Sequence, residues 1–146
     1  MPNPNYRDTI TIYNCLKAKD NDTKADQWYP TVLTGCFFQS TVAQTVNGQT
    51  LSMASSYLAR IPDAHGDNAA YMPYAEWAAL PDKKGYFTVS ENDVIIKGSV
   101  VQNITGKSPN TMAELLASRK PEAFRVRVFK DNTGFPVGKH YRVSGV

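Results

Sequence analysis

The stretch FTVSENDVIIKG, residues 87–98, decides the fold. Phe87 and Val89 alternate with Thr88 and Ser90, the period of a half-buried strand. Ser90, Glu91, Asn92 and Asp93 then crowd turn formers together; Asn and Asp bond nearby backbone and tolerate the left-handed region. Val94, Ile95 and Ile96 resume an apolar run that Lys97 and Gly98 end. The reading is strand, tight turn, strand, over 86–90 and 93–101. Phe87, Val89, Val94 and Ile96 would point inward, with Ile95 covered by another layer. Glu91 and Asp93 also raise the question of an acid pair. Carboxylates that cleave glycosides face each other across a cleft, roughly 5–10 Å apart. Side chains two apart around a turn usually point into solvent, so this segment reads as a corner between strands.

Working outward, TITIYNCL at 9–16 is β-branched and alternating, a first strand, and 1–8 is a flexible leader. The charged segment 17–26 is a loop. Residues 27–46 hold strand material interrupted at Pro30, which cannot donate to a ladder, and at Gly35, which suggests a bulge. Asn47-Gly48 is a strong two-residue hairpin signal, since a type I′ turn needs positive φ at both central positions. It predicts a long arm, with strands over 40–46 and 49–61. Leu51, Met53, Ser55, Tyr57, Ala59 and Ile61 would share one face. Residues 62–85 form an excursion in which PYAEWAAL makes about two helical turns, with Pro73 at the first position. Thr111 and Glu114 form a capping box opening a helix with a Met112, Leu115, Leu116 stripe, and Pro121 ends it. Then AFRVRVFK alternates, with Phe124, Val126 and Val128 on one face and Arg125 and Arg127 on the other. KHYRVSGV is a last strand. The fold class is mainly β: one small β-barrel or β-sandwich domain over 1–146, with two short helices and a long hairpin arm.

The 146 residues carry a net charge of +3. From Ala117 to Val146 the net is +5, so the remainder holds −2. Such asymmetry gives the surface an orientation. Arg125, Arg127, Lys130 and Arg142 are the candidate contacts to DNA or an acidic partner; a solvated strand face explains them equally well. No apolar run approaches the ~20 residues of a membrane helix, and the first residues lack a secretory pattern. Cys15 and Cys36 read as reduced, partly buried thiols. With His65 and His140 they are singletons, without the paired spacing of a zinc site. No phosphate loop or nucleophile elbow occurs. The expectation is a protein without metal, cofactor or catalysis.

The motifs TITIYN, WYPTVLTGCFF, LARIP, YMPYAEW and GYFTVSENDVIIKG, in that order from Thr9 to Gly98, resemble minor capsid or head-completion proteins of tailed phages and prophages. The resemblance implies a virion neck component assembled in the bacterial host cytoplasm. It implies a β-barrel stopper that forms a homo-oligomeric ring beneath the portal–adaptor complex, closes the DNA channel and offers the tail a platform. Tail terminators, which mix a sheet with longer helices, are the nearest rival. A β-sandwich module for capsid decoration or for binding glycan or peptide is the rival outside the neck. In a ring, the arm at Val46, Asn47, Gly48 and Gln49 would reach the channel or the next subunit. Tyr71, Tyr74 and Trp77 would contact a neighbour, or else pack locally.

Overall fold

The computed structural model describes residues 6–20, 25–47, 50–62, 69–120, 122–134 and 139–145, with backbone alone for 42–47 and 50–55. The strands are β1 (Asp8–Leu16), β2 (Gln27–Asn47), β3 (Thr50–Pro62), β4 (Ala70–Tyr71), β5 (Tyr86–Phe87), β6 (Val94–Lys97), β7 (Ala123–Asp131) and β8 (His140–Gly145). Two helices join them, α1 (Tyr74–Ala78) and α2 (Met112–Arg119). Six strands close a barrel in the order β1-β2-β3-β8-β7-β6, and every neighbouring pair is antiparallel. The mainly-β expectation resolves to a barrel.

Closure depends on two strands that each serve two sheets. Residues 27–36 of β2 pair with β1, and residues 37–47 pair with β3. The change falls at a register shift where Gly35 takes φ +66°. A glycine there makes the bend at no steric cost, as the sequence suggests. β7 does the same: 123–125 pair with β6, and 126–131 pair with β8, with a second shift between Val126 and Val128. Arg127 is the extra residue. It inverts the alternation beyond it, so Val128 is 58% exposed and Phe129 packs against the core. The expected inward Val128 is thereby corrected.

The barrel interior holds Ile10, Ile12, Leu33, Ile61, Ile95, Val126 and Val143, with Phe124 stacked on Tyr57 at 5.5 Å between centroids. Tyr57, Ala59 and Ile61 do share the inward face of β3. A second core lies outside the barrel wall, where Met112, Leu115 and Leu116 of α2 cover Tyr13, Val94, Ile96 and Ala123. β6 is therefore buried on both faces, which is why VII is continuous rather than alternating. Ile95 faces the barrel, and Val94 and Ile96 face α2, the reverse of the expected assignment. Thr111 caps α2 by accepting from the Glu114 amide at 3.3 Å, and its hydroxyl donates to the Glu114 carboxylate at 2.8 Å.

Three boundaries move. Asp8 belongs to β1 rather than to a leader, and its carboxylate accepts from the Phe38 amide at 2.9 Å. α1 is five residues, and Pro73 caps it from outside. In the hairpin, Asn47 pairs with Thr50, one residue beyond the expected register on each strand. Gly48 and Gln49 lie outside the described residues. Among the described residues, 41–47 and 50–56 pair only with one another, so the hairpin extends past the barrel as a two-stranded ribbon.

Gly145 sits where β8 crosses the β7 corner, opposite Tyr57 and Val126. A Cβ there would overlap the Arg125 carbonyl oxygen. Gly145→Ala should lower the unfolding free energy by about 1–3 kcal/mol, the usual cost of overpacking. Gly134→Ala, which meets nothing within 4 Å, should leave it nearly unchanged. Urea unfolding of the two variants measures the difference, and equal midpoints would contradict this account of the corner.

Candidate functional site

The segment 87–98 does not form a hairpin. Of the expected first strand, 86–90, only Tyr86 and Phe87 are strand, and they pair in parallel with Ala70 and Tyr71, while Val94–Lys97 forms β6. The Thr88 amide and carbonyl and the Ser90 amide find their partners in side chains instead. Asn14 lies on the same face of β1 as Ile10 and Ile12. Its carboxamide accepts from the Thr88 amide at 3.2 Å and donates to the Thr88 carbonyl, standing in for a neighbouring strand. The Asp93 carboxylate accepts from Asn14 Nδ2 at 2.9 Å, the Cys15 amide at 3.0 Å and the Ser90 amide at 2.9 Å. Asn92 takes φ +76°, and the Asp93 amide closes the turn on the Ser90 carbonyl at 3.1 Å.

The turn is real, and the solvent-facing expectation for Asp93 is not: it is 1% exposed. Burial pushes its pKa from the usual 3.8 up to about 6, against the three donors, which favour the ionised form. Glu91 points the other way, with its side chain 69% exposed and 3.9 Å from Arg127. One carboxylate is in the core and the other in solvent, so they do not form an acid pair.

Arg125 and Arg127 do not line a stripe with Lys130 and Arg142. They serve the turn: Arg127 Nη1 donates to Asn92 Oδ1 at 2.5 Å, and Arg125 Nη1 to the Asn92 carbonyl at 3.4 Å. Lys130 and Arg142 are cross-strand partners, and the next strand adds Arg60 opposite Arg142. Arg60 lies over the Phe37 ring at 5.5 Å, and Phe37 is its partner on β2. Phe37, Arg60, Arg142 and Lys130 thus form one row across four strands. Opposed like charges weaken a sheet by several tenths of a kcal/mol. None of the three cations has an ion pair with a described residue, and Arg60 Nε is buried without an acceptor. Sequence reading missed Arg60. Its outward direction is legible from the flanking Ala59 and Ile61; its neighbours depend on register between distant strands.

The excursion aromatics are held within the chain. Trp77 is fully buried, edge-on to Tyr29 at 5.7 Å, with Lys83 Nζ over its ring at 5.2 Å. That removes Trp77 as a residue presented to a neighbour. Tyr74 donates to Asp20 Oδ2 at 2.6 Å, and Tyr71 packs on Tyr141 at 4.6 Å. Both are half-buried. Val46 and Asn47 lie at the end of the ribbon. Cys15 and Cys36 are free and buried, and burial pushes both thiols up to about 12, so they stay protonated at neutral pH. Among the described residues no three His, Cys, Asp or Glu gather as metal ligands, and no helix is long and apolar enough to cross a membrane.

Protonation of Asp93 gives a signed pH dependence. Its folded value lies above its unfolded one, so its contribution is complete below about pH 4 and is lost as pH rises through 6. The shift corresponds to roughly 3 kcal/mol. The stability of the wild type relative to Asp93→Asn should therefore rise by about that amount between pH 7 and pH 4, measured by urea unfolding. A gap independent of pH would contradict it.

The chain belongs to a family of unknown function (DUF6751), whose model matches residues 5–146. No curated protein and no solved structure matches it.

Proposed function

We propose that this DUF6751 chain is a structural, non-catalytic component of a bacteriophage neck, a ring-forming stopper that joins the portal–adaptor complex to the tail. The observation that carries the reading is the ribbon. Among the described residues, 41–47 and 50–56 pair only with each other, so their outer edges offer backbone groups to a partner. From Gln27 through Ala59 there is no Asp, Glu, Lys, Arg or His. Proteins usually protect exposed strand edges with charge; this arm lacks that protection and suits contact with another chain. A ring needs two complementary surfaces on each subunit, and a projecting arm supplies one. The motif order from Thr9 to Gly98 adds the phage context. The rival tail terminator expects longer helices, whereas α2 has eight residues and α1 five.

Deleting residues 44–51 should leave a folded barrel with an unfolding midpoint close to wild type. Particles assembled with that variant should leak DNA or fail to join tails. Particles that retain DNA and carry tails normally would contradict the assigned role of the arm.

A further inference from the structure

We infer that the outer face of β3, β8 and β7 binds the phosphate backbone of duplex DNA through Arg60, Arg142 and Lys130. This surface is separate from the arm, and the inference stands whether or not the chain is a connector component.

Three observations carry it. First, the cations occupy one cross-strand row, Arg60 opposite Arg142 and Arg142 opposite Lys130. Adjacent strands lie about 4.8 Å apart, so the row is roughly 10 Å long. Phosphates follow one another about every 3.4 Å of axis along each DNA strand, so the row spans about three. Second, acid is absent from both flanking rows of the same face. Leu58, Ser144 and Val128 lie on one side, and Pro62 and His140 on the other. Asp131 follows Lys130 on β7, and its carboxylate is taken by the Thr133 amide at 2.8 Å and the Thr133 hydroxyl. Asp8, on the strand beside Phe37, is committed to the Phe38 amide. Third, Arg60 is held in place by the ring beneath it. Its guanidinium rests on Phe37 at 5.5 Å, and its buried Nε has no acceptor. With Nε enclosed, a phosphate meets the terminal nitrogens, and their planar pair of donors is the geometry in which arginine surpasses lysine.

An acidic protein segment fits less well. An extended peptide docks by adding to a free strand edge, and the closed barrel has none at this face. A row of one sign without interspersed acid suits a uniformly charged polymer read without sequence. Neither described helix packs on it: α2 covers Val94, Ile96 and Ala123, and α1 sets Trp77 against Tyr29. The expected binding is therefore independent of sequence.

The test uses the full-length chain and a short fluorescein-labelled duplex of arbitrary sequence, read by anisotropy. Wild type should bind with a log–log salt slope near −2.7, the value for about three phosphates. That slope is about a 40-fold loss of affinity between roughly 50 and 200 mM salt. Arg60→Gln/Arg142→Gln/Lys130→Gln should bind at least about tenfold more weakly at the lower salt. Arg142→Gln/Lys130→Gln keeps Arg60 on Phe37 and guards against loss of folding; its slope should fall to about −1. Lys84→Gln/Lys107→Gln, away from the row, should match wild type. The inference is overturned if wild type does not bind DNA at the lower salt, or if the row variants bind like wild type. It is also overturned if wild type binds poly-glutamate through the row and leaves the duplex free.

Discussion

The structure depends on closing six strands with two of them bent. A closed antiparallel barrel abolishes edges, but this closure requires β2 and β7 to leave one sheet and enter another. Gly35 makes the first corner with a positive φ. Arg127, as the extra residue of β7, makes the second against Gly145. Each corner re-aims the strand beyond it. After Gly35, β2 runs on from Phe37 with β3 as its only partner among the described residues, and outlasts the barrel. After Arg127, Phe129 turns inward and Lys130 outward, beside Arg142. Both the arm and the cation row are thus products of barrel closure.

The second constraint is polar. Residues 88–90 belong to no strand, yet Thr88 is fully buried. Unmatched backbone groups there would be costly. Asn14 supplies a surrogate strand edge, and Asp93 gathers three more N–H groups. The corner is tied to β7 from outside as well, since the Asn92 amide donates to the Val126 carbonyl at 2.9 Å and Arg127 grips the Asn92 side chain. A buried carboxylate is here an organising acceptor, and its raised pKa records the expense of enclosing it.

Local chemistry makes much of this legible. The Gly35 bulge, the Asn92 turn, the Thr111 cap and the inward set Tyr57, Ala59 and Ile61 can be read from residue type and period. The errors arise where tertiary context overrides period. A continuous VII run buried on both faces has no alternation from which to choose a side, so Ile95 is assigned outward. A bulge inside AFRVRVFK breaks the alternation that its letters display. Asn14 stands in plain view on the Ile10 and Ile12 face; a polar residue continuing an apolar face is the signal that marks it. Arg60 joins Lys130 and Arg142 only through pairing between segments some 70 to 80 residues apart, which spacing within one segment does not encode.

The central claim is that the barrel is complete without the arm, which leaves the arm's outer edges free for a partner. Amide hydrogen exchange on the isolated chain tests this most directly. The account predicts slow exchange for the buried strand amides of 10–16, 94–97 and 123–126. It predicts alternation along 41–47 and 50–56, with inward amides bonded across the ribbon and outward amides exchanging fast. Uniform protection along the ribbon in the isolated chain would contradict it, because both edges would then already be paired.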